Sequence, residues 1–485
     1  MENKILKKGC GTVVSSMTVE RALFNMEEVS VIAGGLIRQG SSRPVSSVAI
    51  DSRQVTADAL FIPLPGEHFD GHQFLREALT NGASALLLAD RVWPLEGEEV
   101  ARQAREKGAA LITVPDTLRA LQDLAGNHIR SMTDLTSIAI TGSSGKTTTK
   151  EILGSILRRE APAIINEGNL NSEIGLPLSV LRIKGEHKYA VLEMGMNHAG
   201  EMAVLADIVR PEVALITNIG RAHIGLLGSQ ERIALEKKEI FKFFDDRQLA
   251  FLFEDEPFFE YLSSKVRGKI IPFGPRSTPG FEGSKDLGLA GSIIYWEGFQ
   301  IHFPLFGTYN LVNALSSISV SVELGISKRK IKLGLQEAKP IFGRSQVIRG
   351  AVTIIQDCYN ANPDSISRVL GFVRKLSWRG RKVMVLGSML ELGQDSAQAH
   401  RQMGREAGLS GLDAVIFFGI ETETAYSAAL ETGFSGFLSF TADFEKLIQK
   451  LQGYLREGDL LVLKGSRAVE LERLIPLLAM DRLEG

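Results

Sequence analysis

The stretch Ile138-Ala-Ile-Thr-Gly142-Ser-Ser-Gly145-Lys146-Thr147-Thr148 opens on a β-branched run, turns through two glycines and enters a helical pattern. A glycine loop between a strand and a helix gathers backbone N–H groups and the positive end of the helix at one point, which suits phosphate oxygens. Lys146 can reach the outer phosphates of a nucleotide, and the Thr147 hydroxyl can ligate Mg²⁺. The loop is shorter than the common G-x-x-x-x-G-K-[ST] form, because Ile140 stands where that form has its first glycine. The expected phosphate-binding set is Gly142, Ser143, Ser144, Gly145, Lys146, Thr147 and Thr148.

Outward from this loop, short β-branched runs alternate with helical patterns, the rhythm of α/β units built on parallel strands. Strands are expected at residues 47–50, 59–64, 84–88 and 110–114, then at 137–140, 189–192, 213–217 and 249–253, and finally at 383–386, 414–418 and 460–463. The reading is an α/β protein of three domains: an N-terminal α/β domain over residues 1–115, a central P-loop-type parallel-sheet nucleotide-binding domain over 116–341 and a C-terminal Rossmann-like α/β domain over 342–485. Residues 1–22 fit none of the three and are expected to form a flexible leader.

Composition narrows the function. Lys plus Arg number 55 against 57 for Asp plus Glu, a net charge of -2, so the basic surplus of a non-specific nucleic-acid binder is missing. With only Cys10 and Cys358, no disulfide framework is available, which suits a reducing, cytoplasmic setting. The apolar runs stop short of the roughly 20 residues of a membrane span. Gly is in excess, 48 against 16 Pro, which asks which loops need backbone freedom.

Two further polar positions fall at strand ends, where ligands gather in parallel α/β sheets. Val191-Leu-Glu193 places a carboxylate at one end, and Ile216-Thr-Asn218-Ile-Gly-Arg-Ala-His223 places an amide and an imidazole at another. Mg²⁺ prefers oxygen ligands, so Thr147 with Glu193 is a first pair and His223 is a candidate ligand of a second ion. Lys237, within Ala234-Leu-Glu-Lys-Lys-Glu-Ile240, looks on composition like part of a solvated helix face. His68 and His72 have the i, i+4 spacing of helix zinc sites, but the intervening Asp70-Gly71 is a turn former and zinc is not expected. Asp51-Ser52-Arg53 follows a strand, where a hydroxyl and a guanidinium could hold a phosphate or a uracil edge.

Taken together these segments resemble the Mur ligases, the ATP-dependent amide-forming enzymes of peptidoglycan precursor synthesis, from about Thr18 to Leu474. Within that family they are similar to the branch that adds D-alanyl-D-alanine. Tyr359-Asn-Ala-Asn-Pro363 and Met389-Leu-Glu-Leu-Gly393 carry the subtype signal, with Asp51-Ser-Arg, Phe69-Asp-Gly-His72, Asn169-Leu-Asn171 and Ile174-Gly-Leu-Pro177 in support. The resemblance implies an ATP-dependent ligase with UDP-MurNAc-tripeptide and D-Ala-D-Ala as partners, with no nucleic acid, no membrane span and a monomeric state. It implies ATP, two Mg²⁺ ions and a CO₂-derived carbamate on Lys237 as cofactors. By the same resemblance Lys146, Lys237, His223 and Glu193 are catalytic; Thr147, Glu193, His223 and the Lys237 carbamate hold metal; and Asn310, Asn313, Arg344 and Asp357 complete the ATP site. Ser52 and Arg53 would hold the UDP end, and Tyr359, Asn360 and Asn362 the amine substrate. Closure of the third domain on the nucleotide is expected to turn on a hinge near Pro340 to Gly343.

Four positions depart from the family pattern: Tyr309 for His, Gln356 for an acidic residue, Ser172 for Asn and Ser388 for Asp. Rival readings are a sibling ligase adding a single amino acid, or a P-loop nucleotide-binding regulator. Against the second, the guanine-specifying Asn-Lys-x-Asp does not occur.

Overall fold

The structure, a computed structural model, describes residues 22–66 and 69–480. The proposed leader, apart from its last residue, and His68 with its zinc spacing therefore lie outside the described residues. The described residues divide into two compact units, one up to Leu124 and the other from Ala125.

The first unit holds a five-stranded sheet: β1 (Leu36–Gln39), β2 (Ser47–Ala49), β3 (Ala59–Phe61), β4 (Ala85–Ala89) and β5 (Ala110–Val114), in the order β1-β5-β4-β3-β2. Only β1 runs antiparallel, at an edge. The strand expected to reach residue 64 stops at Phe61, ahead of Pro63 and Pro65, which cannot donate to a ladder. His72 is structural: its Nε2 accepts the Ala89 N–H at 3.0 Å and its Nδ1 lies 2.5 Å from Asp70.

The second unit carries two six-stranded sheets. In one, β6 (Thr136–Thr141), β7 (Ala163–Ile165), β8 (Tyr189–Glu193), β9 (Val213–Ile216), β10 (Leu249–Phe253) and β11 (Lys269–Phe273) are all parallel, in the order β11-β10-β9-β6-β8-β7. An antiparallel three-stranded sheet follows, β12 (Phe281–Asp286), β13 (Ser292–Trp296) and β14 (Phe299–Phe303). Its alternate residues Ile294, Trp296, Ile301 and Phe303 join the core of the parallel sheet. The other six-stranded sheet orders β15 (Gln346–Ile348), β16 (Thr353–Asp357), β17 (Lys382–Gly387), β18 (Ala414–Phe418), β19 (Phe437–Thr441) and β20 (Leu460–Lys464) as β15-β16-β20-β17-β18-β19, with β15 antiparallel. Met384, Leu386, Val415, Phe417 and Val462 pack into one apolar cluster and their neighbours Val383, Val385, Ile416, Leu461 and Leu463 into another, so both faces are covered and the strands read as unbroken apolar runs.

Four helices position the site: α1 (Lys146–Leu157), α2 (Gln230–Lys238), α3 (Thr308–Glu323) and α4 (Pro363–Lys375). Among the described residues no helix is long and apolar enough to cross a membrane.

Candidate active site

Strand β6 delivers the chain to Gly142 with φ 149°, and a Cβ there would collide with the Thr217 hydroxyl. At Gly145 φ is 84° and a Cβ would lie 2.6 Å from Asn313 Oδ1. Only glycine meets both demands. The segment after β9 braces the loop: Asn218 O accepts from Ser143 N at 2.9 Å, and Thr217 Oγ1 donates to Ser144 O at 2.6 Å. Helix α1 begins at Lys146 with no side-chain cap, so its first N–H groups have no intrahelical acceptors and remain available to an anion. Lys146 Nζ donates back to Gly142 O at 2.9 Å. Burial, with Arg344 near, lowers the Lys146 pKa, partly offset by Glu193.

Glu193 ends β8, buried at 2% exposure. Its Oε2 accepts from Thr147 Oγ1 at 2.7 Å and its Oε1 from Asn171 Nδ2 at 2.8 Å, while its own N–H donates to Asn166 Oδ1 at 2.8 Å. This clusters hard oxygen donors beside the phosphate loop, the donor type Mg²⁺ takes.

Lys237, on α2, is 1% exposed, which overturns the reading of its segment as a solvated helix face. Among the described residues its ammonium has no hydrogen-bond or ion-pair partner; the adjacent Glu236 accepts at Oε1 from Gly200 N and Met202 N, each at 2.9 Å. Burial, then the Lys146 charge, holds its pKa well below that of an ordinary lysine, against the pull of Glu236 and Glu193. A buried amine whose pKa is held down in this way fits a lysine that reacts with CO₂.

His223 stands at φ 62° with Nδ1 2.9 Å from Glu391 Oε2, a charge contact whose direction does not complete a hydrogen bond. Among the described residues no three His, Cys, Asp or Glu side chains form a ready-made metal cluster. The donor set here is a hydroxyl, a carboxylate and a modifiable lysine, which fits Mg²⁺ that keeps waters and takes substrate oxygens.

The opposite wall comes from the last sheet. Asp357, at the end of β16, accepts from Ser345 N at 3.0 Å and pairs with Lys464 Nζ at 3.1 Å. Lys464 also donates to Asn360 O at 2.6 Å. The Arg344 guanidinium lies 4.3 Å over the Tyr359 ring. Asn362 caps α4: its Oδ1 accepts from Ser365 N at 2.8 Å while Asn362 N donates to Ser365 Oγ at 3.0 Å. Tyr309, one of the departures, donates or accepts at Ser345 Oγ at 2.9 Å, and burial pushes its phenol pKa up.

The two walls enclose a cavity of about 550 Å³. It brings together residues 143–148, Glu193, His223, Asn310, Asn313, Arg344, Asp357, Tyr359, Asn360 and Asn362. Gly142 and Lys237 sit behind its surface. Asn310 is spent locally, its Nδ2 donating to Phe306 O at 2.8 Å. Ser52 and Arg53 belong to the first compact unit, where Ser52 Oγ donates to Glu77 at 2.8 Å and Arg53 pairs with Asp51 at 2.8 Å. Sequence reasoning assigned no role to Asn166, Asn171 or Glu391, although Asn171 and Glu391 stood inside quoted motifs; Lys464-Gly-Ser-Arg467 matches the family's C-terminal block, but the bridge Lys464 makes between Asp357 and Asn360 spans more than a hundred residues and shows only in the structure.

Profiles of the Mur ligase family cover this scaffold: the Mur ligase catalytic domain matches residues 44–129, the Mur ligase middle domain 140–321 and the Mur ligase glutamate ligase domain 343–467. The chain belongs to the Mur ligase family. Among Mur ligases, the UDP-N-acetylmuramoyl-tripeptide–D-alanyl-D-alanine ligase of Treponema pallidum is 42% identical over 95% of this chain and 100% of its own length. A crystal structure of MurF from Acinetobacter baumannii superposes with a TM-score of 0.84 at 32% identity, covering 94% of this chain and 98% of that one. MurF of Thermotoga maritima, solved in complex with ADP, gives a TM-score of 0.75 at 28% identity over 89% of this chain and 97% of that one.

Proposed function

We infer that this chain joins D-alanyl-D-alanine to UDP-MurNAc-tripeptide at the expense of ATP, making the UDP-MurNAc-pentapeptide precursor of peptidoglycan with release of ADP and phosphate. The observation that carries the reading is the facing of Thr147, Glu193 and the glycine loop by Arg344, Asp357 and Tyr359 across one cavity. The relatives named for this reaction match along nearly the whole chain.

A carboxylate is a poor electrophile until it is phosphorylated. The tripeptide's terminal carboxylate takes the γ-phosphoryl group of ATP, and the free amine of D-Ala-D-Ala then displaces phosphate from the acyl phosphate. The N–H groups at the start of α1 hold the phosphate chain, and Lys146 swings from Gly142 O to the transferring group. Asn313 closes the loop from α3, and Arg344 and Asp357 cover the nucleotide from the last sheet. Tyr359, Asn360 and Asn362 shape the amine pocket, and Ser52 and Arg53 receive the UDP end. Thr147, Glu193, His223 and Lys237 as its carbamate would hold Mg²⁺, which offsets the repulsion between an anionic nucleophile and phosphate. Lys237 suits carbamate formation because its amine is buried and its pKa is held well below that of an ordinary lysine: the amine nitrogen attacks CO₂, the N–C bond forms as one C=O π bond opens, and a proton leaves, giving an anion.

The three-domain division at residues 115/116 and 341/342 is part of this proposal. The test is mass spectrometry of the product from UDP-MurNAc-tripeptide, MgATP and a mixture of D-Ala-D-Ala with single amino acids. A mass gain of the dipeptide alone is expected; incorporation of a single amino acid would assign the chain to a sibling reaction.

A further inference from the structure

Helix α4 starts at the amine pocket, where Asn362 caps it, and two residues on one of its faces reach across to the nucleotide side. Asp364 and Arg368 are four residues apart and so share a face. They do not pair with each other within ion-pair distance among the described residues. Asp364 Oδ2 accepts the Arg221 N–H at 2.7 Å, in the segment that leads to His223. Arg368 donates from its guanidinium to Ser144 Oγ at 2.6 Å, in the middle of the phosphate loop. Ser144 in turn is tied to Asn218, whose Oδ1 lies 3.2 Å from both Ser144 N and Oγ. Arg368 counts as exposed because it faces the cavity it helps to line. An ordinary surface arginine on this helix would pair with the carboxylate one turn earlier; this one spans two walls of the site instead.

We propose that Arg368 is a positioning residue that acts through Ser144, tying the phosphate loop to the amine-substrate pocket so that ordering one orders the other. A guanidinium suits the task, because a single planar fork reaches the loop and leaves donors over. Filling the loop with nucleotide phosphate fixes Ser144, Ser144 fixes Arg368, and Arg368 fixes the first turns of α4, whose N-cap is Asn362. The inference rests on the ligase reading for the amine half and on geometry alone for the nucleotide half.

The test uses the full-length protein as R368A, R368K, S144A and R368A/S144A, with MgADP affinity titrated in the absence of peptide and with KM and kcat for ATP and D-Ala-D-Ala. Loss of one charge-assisted hydrogen bond corresponds to about 10-fold or more in an equilibrium constant. R368A is expected to weaken MgADP binding by about that factor and to raise the D-Ala-D-Ala KM several-fold, with kcat changed far less. R368K is expected to recover part of the loss, and R368A/S144A to be no worse than the poorer single variant. Additive losses, or MgADP affinity and amine KM both unchanged in R368A, would overturn the proposal. A fall in kcat and thermal midpoint with both KM values intact would also overturn it, by showing a merely structural role. If the wild type made no pentapeptide, the ligase reading would fall while the MgADP arm still decided the Arg368–Ser144 link.

Discussion

The two walls of the cavity are built in opposite ways. The wall around the glycine loop is made mostly of backbone: two glycines at positive φ where a Cβ would clash, a helix start with open N–H groups, and a strand-end carboxylate bonded to the second helical residue. The facing wall is made of long-range side-chain bridges, with Lys464 joining Asp357 to Asn360, Arg344 stacked on Tyr359 and Arg368 reaching Ser144. The first wall is rigid because its centre is backbone held by sterics and braced from β8 and from the segment after β9. The second depends on tertiary partners, which makes it the side able to respond to substrates.

Breaking that contrast should begin at Lys237, the buried lysine behind the first wall. Lys237→Ala is expected to lower kcat by about 10²–10³-fold, the scale of losing one preorganised electrostatic group, with partial recovery on adding short carboxylic acids. Full activity in the untreated variant would remove the carbamate assignment. On the second wall, Lys464→Met leaves the partly buried Asp357 without its ion-pair partner and should cost about 2 kcal/mol in denaturant unfolding. Asp357→Asn in the same chain should return part of that loss, because the stranded charge is then gone.

Smaller effects separate backbone from side chain. Gly145→Ala must hold an L-residue at φ 84° against Asn313, a penalty of about 1–2 kcal/mol read in thermal unfolding, with weaker MgADP binding. At the low end, Tyr359→Leu removes only the ring under Arg344, about 0.5–1 kcal/mol, and should raise the ATP KM no more than about fivefold. If Tyr359→Leu proved costlier than Gly145→Ala, the ranking of a strained backbone wall over an adaptable side-chain wall would be reversed.

Much of the scaffold was legible beforehand, and unevenly. Strands such as β6, β10, β18 and β20 declared themselves because a strand buried on both faces is an unbroken apolar run. The antiparallel strand β12, Phe-Glu-Gly-Ser-Lys-Asp, was not legible, since it is an edge strand with polar residues on most positions. Edge strands β7 and β15, of three residues each, are too short for periodicity to register. Among site residues, the loop and Glu193 followed from their place at strand ends, whereas Lys237 read on composition as part of a solvated face and took its role from the family resemblance alone, its burial being visible only in the structure.

The sequence by itself determined the α/β class, the phosphate loop and the family, because these rest on periodicity, glycine placement and contiguous motifs. Only the tertiary structure decided which charges are stranded and which are bridged. Lys237 is buried without a partner among the described residues, whereas Lys464 and Arg368 find theirs across more than a hundred residues of chain. The energy of a charge depends on what surrounds it in space, and no local stretch of sequence records that surrounding.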